Sequence, residues 1–319
     1  MIVKNAIRSL AVAACVFALS ACGDDKPRQA DAPKVSNDQA EVQKYNAYVG
    51  VANSVNSSYG EELEKYQKYI QPTFEGKEPM KDLSYYSSFN MDRTREQLDK
   101  AVAMKPEMAE LDGPARKYSE ALAKAAPLYN DMTQYISAKT YTSDKGAHGR
   151  EIQPAFIESM TALAQAQEGY FDGIEAKDRA RTKAEFENAK KDTQAYFRAG
   201  MVYYSKDAMD HAEGVFDGSG LGDRKDAFKQ SVDQFNTMAT SYDAKVRESN
   251  QKGCPSFMMT ANAFTATSRS IIERTEDGSY VKEAKEHKPY MPQTQAVRDA
   301  YSLRQHFNNL VSALNTNRC

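Results

Sequence analysis

The sequence predicts an all-α fold, an elongated antiparallel helical bundle behind an export leader and a tether. Three observations carry this. Apolar residues recur every three or four positions from residue 39 almost to the C-terminus, which is the helical period. No run alternates apolar and polar residues as a half-buried strand would. Proline and glycine cluster at intervals that divide the periodic stretches into helix-length pieces.

The leader comes first. Lys4 and Arg8 form a charged start, Leu10 to Leu19 an apolar run, and Leu19-Ser20-Ala21-Cys22 a small-residue ending. This is the three-part layout of a secretory signal over residues 1–21, and its apolar run is too short to span a bilayer. Residues 22–38 are polar, charged and broken by Pro27 and Pro33, so they read as a flexible linker with a reach of roughly 20 Å. Residues 39–319 form the helical body, with a possible division near 140–149.

Within the body, Val42, Tyr45, Val49, Ala52, Asn56, Tyr59, Leu63, Tyr66 and Ile70 lie on one face of a single predicted helix that Gln71-Pro72 ends. A second is expected from Leu83 to Met104, with Met91, Leu98 and Val102 inward. The third begins near Pro106 to Leu111 and carries Leu111, Ala115, Tyr118, Leu122, Ala125, Tyr129, Met132 and Ile136. Pro114 and Pro127 fall within it, so one should occupy the first turn and the other kink the helix.

After a polar turn at 140–149, Ile152, Phe156, Met160, Leu163, Tyr170 and Ile174 mark a fourth helix, expected to break near Gly173. A fifth, from about Asp178 to Val215, carries Phe197, Met201, Tyr204, Ala208, His211 and Val215. The glycines of Asp217 to Gly222 require a loop. Phe228, Val232, Phe235, Ala239, Tyr242 and Val246 give a sixth helix, and Phe257 to Glu276 a seventh. Asp277-Gly278 opens an irregular stretch through Pro289 and Pro292. The last helix runs from about Gln293 to Asn315, with Ala300, Leu303, Phe307, Leu310 and Leu314 inward.

Composition narrows function. Without its leader the chain has 298 of its 319 residues, and 40 basic against 44 acidic side chains give it a formal charge of −4. Nucleic-acid binding needs clustered positive charge, which this balance lacks. Nineteen tyrosines and no tryptophan suit half-buried bundle seams, where the ring packs and the hydroxyl reaches water, in preference to a sugar- or peptide-binding platform.

Chemistry-bearing motifs are few. His148 and Glu151 stand three apart in Gly146-Ala147-His148-Gly149-Arg150-Glu151 and could share a metal across neighbouring helical ridges. The glycine and polar flanks favour a solvated turn instead. Asp207, Asp210 and His211 fit within one helical turn, yet His211 falls on the apolar stripe and reads as a core histidine beside a charged edge. Asp217 to Asp223 lacks the oxygen ligands of a calcium loop, and no hydrolase, zinc or phosphate-loop signature occurs. No catalytic residue, metal or cofactor is assigned. With Cys15 removed and Cys22 committed elsewhere, Cys254 and Cys319 are expected to pair in an oxidising compartment, a crosslink worth ~4 kcal/mol by loop entropy.

Three resemblances extend this reading. Leu19 to Cys22 resembles the lipobox of bacterial lipoproteins, which implies lipid on Cys22 and cleavage before it. Gly23 in place of Asp after that cysteine implies outer-membrane delivery facing the periplasm. Pro106-Glu107-Met108, Leu111-Asp112, Tyr118, Leu122, Pro127-Leu128-Tyr129-Asn130, Tyr135, Lys139-Thr140-Tyr141, Asp144 and Gly149 resemble the central segment of the YiiG-type family of bacterial lipoproteins. Tyr301 and Phe307-Asn308-Asn309-Leu310-Val311 are similar to its closing helix. That resemblance implies a lipid-anchored helical protein and supplies no catalytic or ligand residue. The GxHxxE spelling of Gly146 to Glu151 resembles the metal-associated motif of imelysin-like periplasmic proteins, although Ile152-Gln153-Pro154 departs from it. The expected function is a non-enzymatic binding or interaction module, its partners the membrane through its lipid and an envelope protein or small ligand, with a metal or small-molecule binder as the alternative.

Overall fold

The computed structural model describes residues 37–55, 58–80, 82, 83, 85, 89–287 and 293–316. Its elements are α1 (Asn37–Ser54), α2 (Tyr59–Tyr69), α3 (Gln71–Phe74), α4 (Met91–Ala103), α5 (Ala109–Ser137), α6 (Ala147–Asn188), α7 (Gln194–His211), α8 (Glu213–Phe216), α9 (Lys225–Arg247), α10 (Pro255–Glu276), α11 (Ser279–Glu286) and α12 (Gln295–Asn315). Short 3-10 turns lie at Thr140–Thr142 and Gly222–Arg224, and no strand occurs among the described residues. None of the described helices is long and apolar enough to cross a membrane. The leader, Cys22, Asn56, Pro289, Pro292 and Cys319 lie outside the described residues.

The described residues form two compact units, one up to residue 177 and one from residue 178. The division falls inside α6, and the 3-10 turn and the start of α6 belong to the first unit.

In the first unit, α6 runs antiparallel to both α1 and α2. Tyr170 contacts Tyr48 and Lys177 reaches Glu41, while Gln167 accepts from the Tyr59 amide and Gln153 from the Tyr66 hydroxyl. The expected single helix over 39–71 is therefore two. Ser58 caps α2 by accepting from the Glu61 amide at 3.0 Å, and that local bond competes with continuing the α1 spiral. Val42, expected inward, is 41% exposed.

One further boundary moves. Asn90 caps α4, so that helix starts at Met91, and Leu83 and Tyr85 are buried as non-helical chain, the Leu83 amide donating to the Tyr141 hydroxyl. The predicted third helix is α5, its eight stripe residues all buried. Pro114 sits at its sixth position, beyond the first turn, and Pro127 in its interior; the packed stripe holds the helix together where two carbonyls lose their amide partners.

In the second unit, the four long helices α7, α9, α10 and α12 pack each against the next, and α12 also touches α7. Gly200 and Asp207 of α7 meet Met238 and Ser231 of α9, so the two run antiparallel. Phe235 and Tyr242 of α9 meet Phe264 and Phe257 of α10, and Phe264 and Arg274 meet Phe307 and Asp299 of α12, which gives the same alternation twice more. The core comprises Met201, Val202, Phe228, Val232, Phe235, Phe264, Ile271, Leu303 and Leu310 with their neighbours.

The break expected at Gly173 is absent. α6 continues to Asn188, because one helical glycine costs only about 1 kcal/mol and Tyr170 and Ile174 on either side are fully buried. The chain stops being helical at 189–193 instead, where Thr193 caps α7 by accepting from the Tyr196 amide. Residues 279–286, expected irregular, form α11, which seats Tyr280 in the core.

Candidate functional site

His148 opens α6, and the return of α5 brings Asp131 to it. The imidazole Nε2 is 3.0 and 3.1 Å from the two Asp131 carboxylate oxygens, and Nδ1 is 3.9 Å from Glu151 Oε2. The bond to Asp131 raises the His148 pKa against a smaller opposing effect of burial. Tyr135 packs edge-on against the imidazole at 5.1 Å, and its hydroxyl donates to Asp144 Oδ1 at 2.7 Å. Asp144 also accepts from the Gly146 and His148 amides. The Tyr135 bond chiefly holds the Asp144 carboxyl low, while burial and Asp144 push the Tyr135 phenol up to about 12.

This arrangement braces the start of α6 against α5. It is not the solvated turn expected from the flanking glycines, since His148 and Glu151 lie in the first helical turn. Nor does it gather ligands: Glu151 is 81% exposed and the partner of the imidazole is Asp131, a residue sequence spacing did not single out.

The second candidate set also separates. Asp207 accepts from Ser231 Oγ of α9, Asp210 pairs with Arg179 at 2.7 Å, and His211 Nε2 stands 3.9 Å from Asp207. The three side chains face different partners. His211 is half-buried at the end of α7 and not in the core, because the buried stripe runs through Met201, Ser205, Ala208 and Ala212 and leaves position 211 to its side. Among the described residues no three His, Cys, Asp or Glu side chains converge as a metal ion would require.

Two buried polar networks escaped the sequence reading. Lys44 is wholly buried, with Nζ 2.9 Å from the Met104 carbonyl and 2.8 Å from Asp112 Oδ1. Tyr48 donates to Asp112 at 2.5 Å and the Met108 amide at 3.2 Å. Burial opposes the Asp112 charge, yet Lys44, Tyr48 and Met108 together hold its pKa below the usual range. In the second unit, Asp299 accepts from Arg274 at 2.7 and 2.8 Å, from Tyr280 at 2.7 Å and from Gln295 at 2.8 Å. The sequence signal for both was a charged residue on an inward helical face.

The tyrosines divide in an unexpected way. Tyr48, Tyr66, Tyr129, Tyr135, Tyr170 and Tyr280 spend their hydroxyls on internal acceptors, so they are not the water-facing seam residues expected from composition. Tyr196, Tyr203 and Tyr204 differ: each is half-buried, and none of their hydroxyls bonds to another described residue. Their rings surround Phe186, stacked on Tyr196 at 5.1 Å and on Tyr203 at 5.5 Å, with Tyr204 edge-on at 5.5 Å.

Gly200 makes this group possible. A Cβ there would lie 2.9 Å from Phe186 and 2.8 Å from the Met238 sulfur, so only glycine lets the Phe186 ring lie across α7 between Tyr196 and Tyr203. The result is a partly exposed aromatic face anchored to the core through Phe186, Tyr196 and Tyr204.

Comparison with known proteins assigns the family. Residues 39–316 match the family described as "Protein of unknown function (DUF3829)". The chain belongs to the DUF3829 family. This DUF3829 protein is also similar to "Uncharacterized protein YiiG" of Escherichia coli (strain K12), with 22% identity over 259 residues that cover 79% of this chain and 71% of the relative. No solved structure matches it. The resemblance to YiiG-type proteins drawn from Pro106 to Gly149 and Tyr301 to Val311 thus holds across most of the chain.

One further feature of the DUF3829 body concerns its thiols. Cys254 is buried at the start of α10, its amide donating to Asp243 Oδ1 at 2.8 Å, and its expected partner Cys319 lies outside the described residues.

Proposed function

We propose that this DUF3829 protein is an exported lipoprotein, anchored through lipid on Cys22 to the periplasmic face of the outer membrane, and that it works there as a non-catalytic binding module. Lys4, Arg8, the apolar run and Leu19 to Cys22 support the export and the lipid, and Gly23 supports the outer membrane. The polar stretch of residues 23–38 supplies the stand-off between lipid and body.

The observation that carries the binding role is the aromatic face of the second unit. A partly exposed group of four rings with three phenol hydroxyls uncommitted is the composition of a recognition surface, where tyrosine supplies contact area and a polar rim together. The test has two parts. Intact-mass analysis of the membrane-extracted protein is expected to find a chain beginning at Cys22 and carrying acyl mass, and Cys22→Ser is expected to release it from the membrane fraction. A water-soluble chain with its leader intact overturns the location. Affinity capture with the membrane-extracted protein is expected to enrich envelope material over an unrelated lipoprotein control, and enrichment no greater than that control overturns the binding role.

A further inference from the structure

Building on the proposed binding role, we infer that the face formed by Phe186, Tyr196, Tyr203 and Tyr204 takes a neutral carbohydrate chain. Its rings offer apolar surface and its hydroxyls both donate and accept, matching the two aspects of a pyranose: a face of C–H groups and a rim of hydroxyls.

Charge argues for neutrality. Every charged side chain on α7 and on the part of α6 within the second unit already has a partner. Asp178 holds Lys206 and Arg181, Arg179 holds Asp210, and Lys183 pairs with Glu187. Glu185 lies 3.6 Å from Arg181, Arg198 donates to the Leu314 carbonyl, and Asp207 accepts from Ser231. Arg198 and Asp207, the two held by neutral groups, are of opposite sign, so these helices offer an ionic ligand no net charge to pair with. The exposed Lys190 and Lys191 belong to the connecting loop, off both helices.

A proline-rich peptide also stacks on tyrosine, but its backbone presents carbonyl acceptors and few donors, so it uses only half of what three phenol hydroxyls provide. The carbohydrate uses both. Preorganisation favours binding as well, since the Gly200 notch fixes Phe186 and with it the two stacked tyrosines before any ligand arrives.

The experiment titrates the purified full chain with a hexamer of β-1,4-linked N-acetylglucosamine and, separately, with a proline decamer, following tyrosine fluorescence, which no tryptophan obscures. Saturable binding of the sugar is expected, weakened about tenfold by Tyr203→Ala and less by Tyr203→Phe, which keeps the ring and loses the hydroxyl. Binding of the peptide and not of the sugar overturns the carbohydrate assignment. Failure of both ligands overturns it too, and a photo-crosslinking residue at position 203 in intact cells then separates the two proposals. Crosslinking to a protein leaves the binding role standing, whereas labelling no greater than at exposed Glu151 removes that role as well.

Discussion

Lys44 and Asp112 form a salt bridge sealed from water, 2.8 Å long, with 0% and 4% of their side chains exposed. They join the start of α1 to the start of α5, and Lys44 reaches past Asp112 to the last carbonyls of α4. Burying both charges is costly, and the return comes from the full set of hydrogen bonds that Tyr48 and Met108 complete.

Removing one partner should therefore cost more than removing the pair. Lys44→Met is expected to destabilise the protein by about 3–5 kcal/mol by stranding a buried carboxylate. The double variant Lys44→Met, Asp112→Asn should lose less than the sum of the two singles, since no charge is then left buried and the one Asn carbonyl oxygen still accepts from Tyr48 or from Met108. Urea midpoints of the four proteins measure this coupling, and strict additivity would disprove it. The folded Asp112 pKa is depressed, so its contribution is present above the unfolded value of about 3.9 and is lost as pH falls through the folded one.

His148 has the opposite sign. Its folded pKa is raised, first by Asp131, so its bond to α5 contributes fully below about pH 6.5 and is lost as pH rises through the folded value. A proton NMR titration should place His148 above the ordinary imidazole value of about 6.5, and Asp131→Asn should bring it back toward that value. A wild-type His148 that titrates below that value contradicts the pairing. The effect on stability is small, since both side chains are more than a third exposed.

Two glycine substitutions should separate by sign. Gly200→Ala drives a methyl into Phe186 and Met238 and is expected to cost about 1–3 kcal/mol. Gly169→Ala, on the exposed side of α6 with nothing within 4 Å of the added carbon, is expected to stabilise by about 0.5–1 kcal/mol. Thermal melts would read both, and a neutral Gly200→Ala would mean that the notch does not hold Phe186 in place.

A non-reducing peptide map should join the segments containing Cys254 and Cys319. The buried setting of Cys254 just before α10 and the proposed export favour that crosslink, and reduction is expected to lower stability by about 2–4 kcal/mol. Two freely alkylated thiols would refute the pairing.

Helical content was legible in the sequence because a single rule, an apolar residue every third or fourth position, governs α5, α9 and α12 with hardly an exception. Boundaries were less so. Ser58, Asn90 and Thr193 end or start helices by accepting one amide each, and such a bond competes with packing that only the tertiary contacts reveal. Gly173 misled in the other direction, as buried neighbours outweighed its local cost.

The candidate site was less legible still. His148 was found from its spelling, but its partner Asp131 comes from another helix, and no spacing rule connects them. Lys44 and Asp112 are likewise joined only by the fold. The aromatic face rests on Gly200, whose importance is invisible until Phe186 is seen lying over it.

Because the two units divide within α6, between Lys177 and Asp178, no exposed connecting strand offers a protease or a gene designer a clean place to part them. A trypsin cut after Lys177 must first unwind backbone hydrogen bonds and free a side chain clasped by Glu41 and Glu110. Digestion under native conditions should accordingly nibble at surface loops long before it yields separate halves, and fragments ending there would each inherit a helical stump.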